Sequence, residues 1–187
     1  MDTAVSLLRG INVGGHKRVP MGELKMLYES LGFTMVTTYI QSGNVVFEYP
    51  GQAASEVSKE IEKGLLRRFG FDVSVLVRTR EELHGVVEDL PFGARKKGGS
   101  HVTFLSAEPR SVPLAEVGRA RAKGEEISVR GTEVYLFLPN GYGRTKLSNA
   151  FLEKKLGVLA TTRNWKTVEA LDALASRPIR SVEGQEA

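Results

Sequence analysis

The 187-residue chain contains no cysteine. Disulfide staples, thiolate nucleophiles and cysteine-held zinc or iron–sulfur clusters are excluded at once. It also lacks any apolar run approaching the roughly 18–20 residues that a membrane-spanning helix needs, so no membrane partner is expected. The N-terminal Met-Asp-Thr-Ala has no cationic stretch ahead of an apolar one. No secretory signal is therefore expected, and the expected location is cytoplasmic. The three histidines, His16, His84 and His101, lie too far apart for metal-ligand spacing. No Gly-x-Ser-x-Gly elbow or His-Glu-x-x-His helix occurs, and nothing in the sequence pairs two carboxylates for acid–base work. No cofactor and no metal site is expected. With no recognisable catalytic constellation, the reading favours a binding or regulatory protein over an enzyme.

What is present is ordinary for a globular chain: 41% hydrophobic and 26% charged residues, enough to bury a core. Lys and Arg exceed Asp and Glu by 26 to 22, a net charge of +4. That excess is mild and identifies a nucleic-acid partner only if the basic residues cluster.

Periodicity places a strand at 3–9, a glycine-rich loop at 10–15 and a helix entered near Pro20 with Met21, Leu24, Leu27, Tyr28 and Leu31 on its buried stripe. A hairpin follows, 35–40 and 45–49, about Ser42-Gly43-Asn44. A helix over 53–69 and a strand over 72–78 complete βαββαβ. Thr79 and Glu82 then form a capping box for a third helix. The second half repeats the order: a strand at 101–105, a short helix at 111–119, a hairpin at 126–129 and 133–138, a helix at 147–156, a brief strand at 158–161 and a last helix carrying Trp165, Val168, Leu171 and Leu174.

The expected fold is α+β: two ferredoxin-like βαββαβ units in tandem, antiparallel sheets with helices packed on one face. The expected division is a first lobe with its linking helix over 1–90, a linker over 91–99, a second lobe with the C-terminal helix over 100–177 and a flexible tail over 178–187. Each such unit leaves one sheet face open, which gives the two a reason to associate. Superposing Gly43 on Gly131 brings Val46-Phe47 onto Val134-Tyr135.

Four stretches carry candidate chemistry. In Arg9-Gly10-Ile-Asn12-Val-Gly14-Gly15-His-Lys17, the glycines permit close backbone approach, and N–H groups near a helix start favour anions; the alternative is a tight strand-to-helix connection whose glycines serve geometry alone. The strand–loop–helix setting resembles a P-loop, but the lysine falls one residue late and Arg18 stands where a Ser or Thr should bind magnesium, so an ATPase of that class is excluded. Thr162-Arg163-Asn164-Trp165 places a cation beside a helix start, where it needs an acidic neighbour or a bound anion to compensate it, and Thr162 or Asn164 is the expected cap. Gln41-Ser42-Gly43-Asn44 reads first as a tight turn, with ligand contact as a second reading. Tyr142-Gly-Arg144-Thr-Lys146 reads first as a solvated loop before a helix, with Arg144 and Lys146 as candidate phosphate contacts in a second reading. Neither half places aromatics where RNA-recognition modules stack bases.

Leu8-Arg-Gly-Ile-Asn-Val-Gly-Gly15, Tyr39-Ile-Gln-Ser-Gly-Asn-Val-Val-Phe47 and Thr162-Arg-Asn-Trp-Lys-Thr167 resemble the signature blocks of a bacterial family, domain of unknown function 1697. His16 ahead of Lys17 departs from that pattern while keeping its basic character. The resemblance implies a two-lobed α+β fold related to ferredoxin-like units and no assigned activity. The leading functional expectation is a phosphate-bearing small molecule or nucleotide bound by Arg9, Gly10, Asn12, Gly14, Gly15 and Lys17, with Gln41, Ser42, Asn44, Lys146, Arg163, Asn164 and Trp165. The alternatives are nonspecific nucleic-acid binding, through Arg67-Arg68, Arg95 to Lys97 and Arg119 to Lys123, or a self-associating structural module with no ligand.

Overall fold

The computed structural model describes residues 1–177, except the side chains of Ala94 and Arg95. The stretch 178–187, expected as a tail, lies outside the described residues. The first unit runs β1 (Asp2–Leu8), α1 (Met21–Ser30), β2 (Thr34–Tyr39), β3 (Asn44–Tyr49), α2 (Ala54–Phe69) and β4 (Val75–Thr79), followed by α3 (Arg80–Glu88). A 3-10 helix at Ala94–Gly99 leads to β5 (Ser100–Leu105), α4 (Leu114–Ala120), β6 (Glu126–Arg130), β7 (Glu133–Phe137), α5 (Asn149–Leu156) and β8 (Ala160–Asn164), then α6 (Trp165–Ala175). The sheets have the orders β2-β3-β1-β4 and β6-β7-β5-β8, all pairs antiparallel. These are two ferredoxin-like units in tandem.

Strand β1 is apolar on both faces because both are covered. Ala4 and Leu8 face α1 and α2 with Val45, Phe47 and Ile61. Val5 and Leu7 face the other way, into a core shared with Val102, Phe104 and Tyr135 of the second sheet and with Leu83, Val86, Trp165, Val168 and Leu171 of α3 and α6. The second sheet's outer face packs Leu105, Val134 and Leu136 against α4 and α5. The sheet faces that a lone unit would leave open therefore meet each other.

Register shows the two units to be equivalent residue by residue. Val5 pairs with Val46 and Arg78, and Val102 pairs with Tyr135 and Arg163. Arg78 and Arg163 thus occupy the same place, and Thr79 and Asn164 after them both cap a helix. This corrects the superposition of Gly43 on Gly131. The Leu8 N–H donates to the Gly43 carbonyl at 2.8 Å and the Leu105 N–H to the Thr132 carbonyl at 2.8 Å, so Gly43 matches Thr132, one residue on. The first hairpin keeps four residues between its strands (40–43) and the second only Gly131 and Thr132. That length difference hid the true alignment.

The last strand also differs from expectation. It runs over Ala160–Asn164, not 158–161, because the β-branched Thr161 and Thr162 pair along β5 up to the cap. Two of the edge strands, β4 and β8, are capped the same way at one residue each. The Val75 N–H of β4 donates to Glu62 Oε1 and the Ala160 N–H of β8 to Glu153 Oε1, each at 2.9 Å, so a side chain occupies an edge donor that would otherwise invite another strand.

Candidate functional site

Arg163 lies on β8 at one end of the seam between the units, only 7% exposed. Its Nε donates to Asn44 Oδ1, its Nη1 to Thr161 Oγ1 and the Thr162 carbonyl, and its Nη2 to the carbonyls of Leu8 (2.8 Å) and Ser42 (3.1 Å), with Gly43 at 3.4 Å. Burial pushes its pKa down to about 10, while nearby Tyr142 acts in the opposite sense, so the group is charged at neutral pH. A cation beside a helix start is expected to need a carboxylate or a bound anion. The structure supplies converging carbonyl dipoles, one amide oxygen and the Thr161 hydroxyl instead.

The three stretches that carry the family resemblance therefore converge: the end of β1, the 40–43 turn and β8. Asn44 is fully buried and holds the turn from within, donating to the Tyr39 carbonyl at 2.9 Å and Ser42 Oγ at 3.0 Å. Gly43 is left-handed (φ 77°), and a Cβ there would stand 2.7 Å from Leu8 Cβ and Ile11 Cδ1, so backbone and packing both require glycine.

The glycine-rich loop is a small exposed finger at the same end of the first sheet. Its tip, Val13-Gly14-Gly15-His16, has both glycines at positive φ (59° and 79°), and the His16 N–H donates to the Val13 carbonyl at 3.0 Å. A two-residue turn of this kind needs left-handed central residues, which accounts for the two glycines. Asn12 pins the base. Its Nδ2 donates to the Val19 and Gln41 carbonyls at 3.0 and 2.9 Å, and its Oδ1 accepts the Val19 N–H. Arg9, just before Gly10, makes a bidentate pair with Glu153 of α5 at 2.7 and 2.6 Å, tying the finger to the second unit. The Lys17 ammonium donates to the Asp72 carbonyl.

The sequence-derived set thus divides. Arg9, Gly10, Asn12, Gln41, Ser42, Asn44 and Arg163 come together, and Gly14, Gly15 and Lys17 extend along the finger. Lys146 is exposed in the loop before α5, whose first residue, Asn149, accepts from Thr162 Oγ1 at 2.6 Å. Its backbone N–H donates to Tyr142 Oη at 2.9 Å. Asn164 and Trp165 serve the fold. Asn164 accepts the Thr167 N–H at 2.8 Å and caps α6, and Trp165 is 2% exposed in the shared core. A cap is worth about 1 kcal/mol and a buried tryptophan about 3–5 kcal/mol on truncation, so packing dominates this pair.

Sequence reasoning missed Arg78, Glu133 and Glu153. Arg78 repeats the Arg163 contacts at the other end. Its Nε meets Glu133 at 3.0 Å, Nη1 donates to the Val77 carbonyl at 3.1 Å, and Nη2 to the Leu105 carbonyl at 2.7 Å. An arginine directly before each helix cap, Arg78-Thr79 and Arg163-Asn164, was the available signal.

The basic runs do not form one surface. Arg68 pairs with Glu23 at 3.4 Å beside α2, Lys96 with Glu126, Lys97 with Glu169 at 2.7 Å, and 119–123 ends α4. The sheet faces an RNA-recognition module would use are buried in the shared core. Among the described residues, no group of three or more His, Cys, Asp or Glu side chains is arranged to hold a metal, and no helix is long and apolar enough to cross a membrane.

By architecture this is a paired ferredoxin-like protein in which a buried arginine of each unit holds the other. By sequence it belongs to the family described as "Protein of unknown function (DUF1697)", whose model matches residues 1–135. That match includes the first two resembling stretches; the third lies beyond it. The fold is similar to that of the conserved bacterial protein SP0830 from Streptococcus pneumoniae, with a TM-score of 0.72 and 25% identity over 94% of this chain and 99% of that one. A search of curated proteins found no match.

Proposed function

We propose that the Arg163 end of the seam binds the phosphate of a small molecule or nucleotide. The observation that carries this reading is the concentration of backbone strain there. Among the described residues, four non-glycines have positive φ: Asn12, Lys17, Met35 and Ile40. Met35 sits at a register shift in β2, whereas the other three surround this site. Asn tolerates the left-handed region, but Lys17 and above all the β-branched Ile40, at 50% exposure, do not adopt it without cost. Strained residues held in place by their surroundings concentrate at ligand clamps and switch regions.

Exposed cations with no ion pair among the described residues include Arg18 on the finger and Arg144 and Lys146 in the loop before α5, a loop whose Tyr142 lies near Arg163. Arg9 and Arg163 are engaged by the protein and shape the site; the exposed cations meet the ligand. The cysteine-free chain suits a cytoplasmic setting. Nonspecific nucleic-acid binding and ligand-free self-association are the competing accounts.

Titration with inorganic phosphate, a nucleotide panel and a short oligonucleotide, followed by melting temperature at low and moderate salt, tests the reading. Ligand at 100 times its Kd adds roughly 2.7 kcal/mol, about 5–10 °C for this chain length. The expected result is a salt-tolerant shift with phosphate or one nucleotide, lost in the Arg18→Ala, Arg144→Ala, Lys146→Ala triple variant. No shift with any compound, or one unchanged in the triple variant, refutes it. A shift only with oligonucleotide that collapses as salt rises transfers the case to nucleic acid.

A further inference from the structure

The opposite end of the seam holds a site of different chemistry. The Arg9 N–H donates to the Ser74 carbonyl and the Ser106 N–H to the Leu159 carbonyl, each at 2.9 Å, so Ser106 stands in the second unit where Arg9 stands in the first. Arg9 reaches across to Glu153, the carboxylate that closes the β8 edge. Glu62 closes the β4 edge in the same manner, yet the serine facing it is too short to reach it. Among the described residues, no cation lies within ion-pair distance of Glu62, and its second carboxylate oxygen accepts no hydrogen bond. In the space that a second Arg9 would fill is a groove of about 340 Å³, lined in part by Ser58, Glu62, Ser74 and Ser106.

We propose that this groove binds an alkylguanidinium group, with Glu62 as its anchoring carboxylate and Ser74 and Ser106 beside it. The chain supplies its own template, because Arg9 on Glu153 is that complex made intramolecularly. A planar guanidinium donating two parallel hydrogen bonds to one carboxylate is the strong form of such a contact. The charge balance agrees. Arg78 borders the groove but already carries Glu133 on its Nε at 3.0 Å, and Glu82 adds a further carboxylate at the same border. Lys59 is the remaining cation of the lining, and it is exposed, where its charge is screened by solvent.

The test uses 15N-labelled full-length protein titrated with arginine amide, with a capped Gly-Arg-Gly peptide and, as an uncharged isostere, with citrulline amide. The Val75 amide, bonded to Glu62, reports on the groove; the Ala160 amide, whose carboxylate Arg9 already occupies, is the internal control. Saturable shifts at Val75 and Ser106 with the guanidinium probes, absent with citrulline amide, are expected. Glu62→Gln keeps an acceptor for the Val75 N–H while removing the charge, and should weaken binding at least tenfold. Ser106→Arg should fill the groove from within, abolish the response and raise the melting temperature. A response to arginine amide points to a free small molecule, and a response confined to the peptide points to an arginine presented by another protein. A Val75 amide unmoved by both guanidinium probes, or equal affinity in Glu62→Gln, overturns the proposal. The Arg18, Arg144 and Lys146 variants leave this response unchanged, so the two sites stand or fall separately.

Discussion

The two ends of the seam use one scaffold and reach different electrostatic solutions. At each end a strand arginine crosses to the other unit and donates to the backbone at the end of that unit's first strand, Leu105 for Arg78 and Leu8 for Arg163. At the Arg78 end the Nε finds a carboxylate, Glu133; at the Arg163 end the equivalent residue is the amide Asn44. The ion pair between units is not missing at the second end. It has moved outward, to Arg9 and Glu153. The backbone contacts are therefore the shared architecture, and the position of the counter-ion is what varies.

Removing the arginines tests the shared part and should have the largest effect. Arg78→Met leaves Glu133 without its cation, a change that costs about 3–5 kcal/mol when one partner of a buried pair is removed. Arg163→Met leaves buried acceptors unsatisfied, at about 1–3 kcal/mol for each one truly orphaned. Chemical denaturation should show both variants destabilised by several kcal/mol. A loss under about 1 kcal/mol at either end would mean that the apolar core alone holds the units together.

Glu133→Gln makes the Arg78 end resemble the Arg163 end, keeping an oxygen for Nε and removing the charge. A cost of about 1 kcal/mol is expected, the difference between a charged and a neutral hydrogen-bond partner. A cost as large as that of Arg78→Met would show that the carboxylate, and not the carbonyls, is the essential contact, and the equivalence of the two ends would fail.

The smallest effect distinguishes the units by pH. His101 on β5 stacks on Tyr142 at 5.6 Å, and burial lowers its pKa from the ordinary 6.5. Its equivalent in the first unit is Ala4. The unfolded chain therefore takes up this proton before the folded one, and stability falls as pH drops below about 6.5. His101→Phe should flatten that part of the melting-temperature profile between pH 5 and about 6.5; an unchanged slope would assign it to other groups.

Local rules served where local forces decide. The capping box at Thr79 and Glu82, the stripe of α1 and the paired βαββαβ order all stand as read, because each rests on residues within a few positions of one another. The seam was illegible for the converse reason. Asn44 looks like a turn residue and Arg163 like a misplaced cation until 119 positions of chain are folded away between them. The finger was half legible: its glycines were visible, and their turn-forming role depends on φ values that the sequence does not display.

In the language of oligomers the seam is an isologous interface: each copy of the unit grips the other with the same residue, as in a two-fold dimer. In a homodimer a single substitution changes both grips together. A chain carrying both copies is released from that constraint. Asn44 need not match Glu133, nor Arg9 match Ser106, so one end can close upon itself while the other stays open.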